Sequence, residues 1–293
     1  MPLGAVEVSL KPKHGLFVGI AVVVAAIGAY LVFGGGDAPA ELTLGERAVE
    51  VEDAGPTSTR PPIEFTNVMG CNIPHRVTEA AYNIADMGIS RYSVVEGSIA
   101  GYRVVEDFIG GLANVDAVGR TTAIQGDLFT HTSFRWWAPD EEDDPTTTTV
   151  PPDSSLASYW FCVDVASIKS DKGSRDNRFR GPIMDTANFP VATFVSVPVT
   201  SFQDSDIPEA GSTTLTVPGF LTLAGKGHAA KASVTIQRAE APYDYELVAQ
   251  IPVVFSDFGI DNPSNSIVSV RDEGLIEVSL TFAWNSADVL GRN

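Results

Sequence analysis

The chain has 293 residues and carries 19 Lys and Arg against 37 Asp and Glu, a formal net charge of −18. This acidity excludes a nucleic-acid-binding role, because binding a polyanion needs a basic patch that displaces counterions. The hydrophobic share of 44% excludes a wholly disordered chain. The two cysteines exclude a disulfide-dense scaffold.

An uncharged run of 19 residues, 15–33, follows a basic N-terminal segment. As a helix rising about 1.5 Å per residue it spans roughly 28 Å, close to the hydrocarbon core of a bilayer. Lys11 and Lys13 predict that residues 1–14 are cytoplasmic, and that the C-terminal domain lies outside, in the periplasm or at the cell exterior. We therefore predict a single-pass anchor in the cell membrane. A cleaved signal peptide stays open as the alternative, since Ala38-Pro39-Ala40 has the small-x-small pattern of a cleavage site.

Residues 34–88 have the composition of a linker or stalk, with Pro, Thr and Gly concentrated in 53–62. One short helix is predicted within this segment, around Val77–Asp86. Cys71 lies here and Cys162 lies further along the chain, and both would meet an oxidising compartment after export. A disulfide between them and a pair of free thiols are both open.

From residue 89 onward the hydrophobic pattern changes to period two, which is typical of half-buried strands. Gly97-Ser98 between the first two strands predicts a hairpin. In the last strand, Ile276, Val278 and Leu280 share one face, as expected for a sheet with a common apolar interior. The predicted strands are Ser90–Glu96, Ile99–Phe108, Ala117–Leu128, Leu156–Ile168, Val191–Thr200, Thr213–Ala224, His228–Arg238, Tyr245–Phe255 and Gly274–Trp284.

Two polar segments interrupt the strands. Residues 131–155 hold an acidic run and a Thr/Pro tract, and they predict an insertion. Trp136 and Trp137 within it are either the edge of a core or a pocket lid. In the second segment, Ser170 or Asp171 is expected to cap a short helix. Residues 286–293 are predicted to form a C-terminal tail.

The sequence lacks the motifs of the common catalytic and metal sites. It has no G-x-S-x-G, H-E-x-x-H, C-x-x-C, P-loop or G-x-G-x-x-G pattern. His75, His131 and His228 are each isolated, so no nucleophile–base pair is indicated. The acidic run 140–144 lacks the spaced ligands and turn glycine of a calcium loop. We predict that the protein is not an enzyme and holds no metal.

A series of ordered motifs begins at residue 167. Its residues are Ser167, Ile168, Arg175, Asp176, Phe179, Phe189, Pro190 and Phe194, then Gly219, Leu221, Thr222 and Gly225, and finally the run Phe255, Ser256, Asp257, Phe258, Gly259 and Ile260. Together with the first strands, the series resembles the YceI-like family over about Ile89–Trp284.

The resemblance implies an all-β fold, an eight-stranded antiparallel lipocalin-like barrel with a short helix. In this chain the barrel is expected at 89–285, with the insertion 131–155, and is preceded by one transmembrane helix. The resemblance also implies an exported protein without catalytic residues. Its barrel would hold an isoprenoid lipid or a quinone-linked chain, for carriage or storage.

The expected ligand site is an apolar tube formed by inward-facing residues. We predict that it is lined by Tyr102, Val104, Phe108, Phe161, Val163, Phe194, Leu221, Leu223, Ile251, Val253, Phe255, Val278, Leu280 and Phe282. The alternative is an interior filled by these same side chains, which would make the protein a ligand-free structural or interaction module of the cell envelope. The partners considered are a hydrophobic small molecule or lipid, the membrane through the N-terminal helix, and a second copy of the chain. No cofactor is expected besides a bound lipid.

Overall fold

The computed structural model describes residues 38–47, 66, 68, 70–71, 89–108, 112–131, 158–197, 204–264, 266 and 268–285. Within these residues the chain is all-β, as predicted. Its strands are β1 (Ile89–Val94), β2 (Ile99–Phe108), β3 (Leu112–Thr121), β4 (Ile124–His131), β5 (Ser158–Asp164), β6 (Val191–Ser196), β7 (Ser212–Leu223), β8 (Lys226–Arg238), β9 (Tyr245–Val254), β10 (Val268–Val270) and β11 (Glu273–Trp284).

The strands close into a barrel. Every pairing is antiparallel, and the order runs from β1 through β4, β5, β6, β7, β8 and β9 to β11, which pairs back with both β1 and β2. Because β1 continues into β2 and β3 into β4, the wall consists of eight antiparallel strands. The predicted eight-stranded barrel is confirmed. The short strand β10 pairs with the end of β2.

The predicted hairpin at Gly97-Ser98 is wrong. Strands β1 and β2 do not pair with each other; both pair with the same edge of β11, one after the other. Gly97 has a φ of 87°, and the Ser98 hydroxyl donates to the Val95 carbonyl at 2.9 Å, so the chain bends without reversing. The predicted strand Ala117–Leu128 is likewise a bent pair, broken between Thr121 and Ile124.

Helical turns lie beside one end of the barrel. Strand β5 ends at Asp164, whose carboxylate accepts from the Ala166 amide and starts a 3-10 turn over Val165–Ser167. The helix α1 (Gly173–Arg178) follows and continues into a π-helical turn, Phe179–Ile183. A further 3-10 turn at Phe255–Phe258 lies at this end, whereas one at Asp204–Asp206 lies at the other end, where the Asp206 carbonyl accepts from the Thr213 hydroxyl.

The residue that caps α1 is not one of the two predicted. The helix begins after Lys172, which makes no side-chain cap. Ser170 instead bonds forward to the buried Asp176, whose Oδ1 accepts from the Ser170 amide at 2.8 Å and from its hydroxyl at 2.7 Å.

The outer wall of the barrel is covered in two places. Residues 38–47 lie along β2, β3, β9 and β11, and Leu42 is buried there. On another face, Phe129, Trp160 and Cys162 form a small apolar cluster. A disulfide joins Cys162 to Cys71, with Cα atoms 6.0 Å apart.

Several predictions concern residues outside the described part of the chain. They are the segment 15–33, the helix Val77–Asp86, Trp136 and Trp137 of the insertion, and the tail 286–293. Among the described residues, none forms a helix long and apolar enough to cross a bilayer.

Candidate ligand cavity

A cavity of about 270 Å³ occupies one end of the barrel interior. The wall there has small residues at inward-facing positions, namely Ala100 on β2, Ala192 on β6 and Gly274 on β11, and all three line the cavity. Ala100 and Ala192 leave space that larger residues fill elsewhere in the barrel, whereas the space beside Gly274 is taken by Val104 and Phe255, which an added Cβ would meet at 2.9 and 3.0 Å. We call this end the cavity half.

Many of the predicted lining residues do face this space. They come from β2, β5, β7 and β9 and from the turn that follows β9. They are Tyr102, Val104, Phe161, Val163, Leu221, Leu223, Val253 and Phe255. The alternation of apolar and polar residues along each strand places these side chains inside the barrel.

Other predicted residues lie in the opposite half of the interior, which is filled. We call it the packed half. Phe194, Ile251, Val278, Leu280 and Phe282 are there, almost entirely buried and not in contact with the cavity. The Phe194 ring lies 5.6 Å from Phe161 and 5.5 Å from Tyr159, and Tyr92 meets Tyr245 edge-on at 4.8 Å, so aromatic rings close the floor. The side chain of Phe108 is outside the described part of the structure.

A lid formed by α1 and the π-helical turn lies over the cavity, and sequence reasoning did not assign it to the site. Phe179, Ile183 and Met184 point into the space, and the Phe179 ring stacks on Tyr102 with centroids 4.7 Å apart. The available signal was their spacing, with apolar residues at i, i+4 and i+5 in a polar segment. That spacing puts them on one helical face.

Further lining residues come from turns and strand ends, which the alternation along the strands did not predict. They are Val165, Ile168, Ile260, Pro263, Val268, Val270, Leu275 and Ile276. Ile276 shares the inward face of β11 that the sequence identified. Leu275 has the outward parity of β11, and Val165 and Ile168 lie where the predicted strand Leu156–Ile168 ends in a 3-10 turn, so strand alternation did not assign them to the interior. The remaining residues belong to segments outside the predicted strands.

Charged side chains stand at the rim of the cavity. The guanidinium of Arg175 donates to both carboxylate oxygens of Glu106, at 3.2 and 3.4 Å, and also pairs with Asp171. Burial lowers the pKa of Arg175, but the hydrogen bonds and charges of Glu106 and Asp171 outweigh it, and the pKa is raised. Lys172, Ser174 and Arg178 also border the opening.

The phenol of Tyr102 lies inside the cavity, under this rim. Burial raises its pKa well above the ordinary value of 10.0, and the nearby carboxylates add to the rise while Arg175 opposes it. The hydroxyl is therefore neutral at physiological pH. It supplies a polar atom in a cavity whose lining is mostly apolar.

This arrangement suits an uncharged, mainly apolar ligand. An apolar interior gives no compensation for a buried charge, whereas each apolar atom removed from water stabilises the complex. Among the described residues, no cluster of His, Cys, Asp or Glu is arranged to hold a metal ion.

Comparison with protein-family models identifies the family of this chain. The model of the YceI-like domain matches residues 118–282, more than half of the sequence. The chain belongs to the YceI-like family. The resemblance predicted from the motifs is thus confirmed, and the family is one of binding proteins. Comparison with curated protein sequences gives no significant match.

Solved structures of similar proteins include a polyisoprenoid-binding domain from Saccharophagus degradans, implicated in plant cell wall breakdown. It is 14% identical, with a TM-score of 0.45 over 68% of this chain and 99% of that one. Burkholderia cenocepacia BcnA is 19% identical, with a TM-score of 0.40 over 62% and 95%. A YCEI protein from Campylobacter jejuni is 16% identical, with a TM-score of 0.30 over 42% and 71%.

Proposed function

We propose that this YceI-like protein is an exported, membrane-anchored carrier or store for an isoprenoid lipid or quinone, held in the cavity half of its barrel. The observation that most directly supports this proposal is the apolar cavity of about 270 Å³, which opens at a polar rim. The cavity supports a carrier over the alternative of a ligand-free module, because a filled barrel would have no such space. Family membership supports binding over catalysis. The anchor and the export rest on the uncharged run 15–33.

The size of the cavity limits how much ligand it encloses. A 150 Å³ apolar cavity holds benzene, or about 25 Å³ per carbon atom, so 270 Å³ encloses about ten carbons. This equals roughly two isoprene units. Phe161 and the aromatic floor behind it prevent a longer chain from passing through the barrel. The remainder of such a chain would leave past the rim.

Isoprenoid alcohols of graded length test this proposal. Burial of each carbon contributes about 0.8 kcal/mol, so affinity should rise by about two to three orders of magnitude between five and ten carbons. Between fifteen and twenty carbons the added atoms stay outside, and affinity should change by less than about tenfold. Competition against a bound fluorescent lipid, measured on delipidated protein, gives these values.

Variants separate the cavity from other apolar surfaces. Phe161→Leu should move the plateau in affinity to longer chains, because it replaces the ring at the cavity floor with a smaller side chain. Phe220→Ala, at a 60% exposed position on the outer wall, should leave the series unchanged. Failure of every alcohol to bind, together with an empty protein in native mass spectrometry after purification from a lipid-containing host, would contradict the carrier function.

A further inference from the structure

Residues 38–47, here called the strap, are fastened to the outside of the barrel. The Arg103 guanidinium donates to the Pro39 carbonyl at 2.8 Å and to Glu277 at 3.2 Å. Glu277 is 1% exposed, so this ion pair is covered on the outer wall. Leu42 is 4% exposed and fixes the middle of the strap.

The strap has a definite direction. Its first residues contact Arg103, which lies opposite Leu275, a residue that lines the cavity. Further on, the Ser279 hydroxyl donates to the Glu46 carbonyl at 2.9 Å. At its end, Arg47 stacks over the Tyr243 ring at 4.2 Å, close to the far end of the barrel. The chain therefore enters the strap at the level of the cavity and runs away from the rim.

This entry point lies close to the predicted anchor in sequence. Four residues, 34–37, separate the uncharged run 15–33 from the strap, and five peptide units extend at most about 17 Å. From Arg103 to Glu106 at the rim is three residues, or about 10 Å along β2. A tether of this length reaches a bilayer beyond the rim.

The other end of the barrel is out of reach. Trp284 lies nine residues beyond Leu275 on β11, about 30 Å along the strand and roughly 23 Å along the axis of a barrel with tilted strands. A bilayer beyond that end would require a longer tether than residues 34–37 provide. We propose that the rim of the cavity faces the lipid bilayer, so that ligand exchanges directly between membrane and barrel. The inference rests on the anchor of the proposed function.

The segment 169–185 is basic, although its Arg175 is paired with Glu106 and Asp171 and further carboxylates, such as Asp257 and Glu273, lie at the same end of the barrel. Residues 169–185 hold five basic and three acidic residues, a local excess of positive charge in a chain of net charge −18. Lys169 and Arg178 are exposed in this segment. Exposed Lys and Arg side chains are attracted to a membrane surface that contains acidic lipid.

The lid and the start of the strap are neighbours. Arg120 pairs through its backbone with Lys169, at 2.9 and 3.0 Å, and its guanidinium donates to the Ala40 carbonyl. One residue thus contacts both the basic segment and the point where the chain enters from the anchor. The surface proposed to face lipid is the segment 169–185, which includes the lid and lies beside this contact.

A quenching experiment in vesicles tests the orientation in the full chain. Gly181→Cys places a thiol on the lid, where an added Cβ meets no atom within 4 Å, and Glu240→Cys places one on an exposed turn at the far end. The native cysteines are joined in the disulfide, so a fluorophore labels only the new thiol. Vesicles of phosphatidylcholine and phosphatidylglycerol carry a spin label on the headgroups. We expect quenching several times stronger at position 181 than at position 240.

A tether variant serves as the matched control. A twenty-residue Gly/Ser insertion between Asp37 and Ala38 has a typical span of about 25 Å, and it should reduce the difference between the two positions. Equal quenching at both positions in the native chain, or stronger quenching at position 240, overturns the inference. So does release of the protein from the membrane with a new N-terminus after Ala40.

The two proposals fail separately. Quenching does not depend on bound ligand, so a protein that is quenched at position 181 but takes up no isoprenoid alcohol refutes the carrier function and keeps the orientation. Binding of the alcohols in detergent without preferential quenching keeps the carrier function and refutes the orientation.

Discussion

The packed half and the cavity half of the barrel are built by the same strands, with the same alternation of inward and outward residues. In the packed half, Phe194, Leu280 and Phe282 fill the interior. In the cavity half, the corresponding inward positions of β2 and β6 carry Ala100 and Ala192, and a lid covers the space that they leave. Strand alternation thus determines which side chains point inward, while the size of those side chains determines whether a ligand fits.

Truncating a leucine in each half should give the largest difference. Leu280→Ala removes a 1% exposed side chain from close packing and should cost about 4–5 kcal/mol in the free energy of unfolding. Leu223→Ala removes a side chain that already borders empty space, so it should cost about 2 kcal/mol. Urea unfolding of delipidated protein measures both values. Equal costs would show that the interior near Leu223 is packed as tightly as that near Leu280.

The fold was more predictable than the site for a physical reason. Alternation repeats along every strand, so β7, β8, β9 and β11 were located to within two residues at each end. A bend such as the one at Gly97 occurs once and gives no repeating pattern. The same Gly-Ser pair is also compatible with a hairpin turn that reverses the chain. The lid residues Phe179 and Ile183 have the spacing of one helical face, but a single turn is too short to distinguish that spacing from chance. Half of the interior is filled because side chains from different strands meet there. The sequence of a single strand does not show which side chains it will meet.

Enlarging an alanine in each half should have a smaller and opposite effect. Ala192→Leu fills part of the cavity, so it should leave stability within about 1 kcal/mol of the native value and abolish uptake of the isoprenoid alcohols. Ala249→Leu, at a fully buried position of the packed half, should destabilise the protein by about 1–3 kcal/mol. Unfolding curves and native mass spectrometry give the two readouts. Unimpaired binding by a stable Ala192→Leu protein would place the ligand elsewhere.

The two buried tyrosines should show the smallest difference, because both should lower stability in the same way at alkaline pH. Burial raises the pKa of both Tyr102 and Tyr159 above 10.0, and Arg175 opposes the rise only for Tyr102. The unfolded chain ionises first, so stability present below pH 10 is lost above it, by up to about 1.4 kcal/mol per pH unit for each phenol.

Replacing each tyrosine by phenylalanine separates the two contributions. The Tyr159 hydroxyl has no hydrogen-bond partner among the described residues, so Tyr159→Phe should raise stability by about 1 kcal/mol near neutral pH. It should also reduce the loss between about pH 10 and pH 11. Tyr102→Phe should reduce the alkaline loss by about the same amount, because burial keeps the pKa of both phenols above this range in the folded protein. Urea unfolding across this range tests the pair. A smaller alkaline effect for Tyr102→Phe than for Tyr159→Phe would mean that the Tyr102 phenol ionises in the folded protein within this range, because water enters the cavity half.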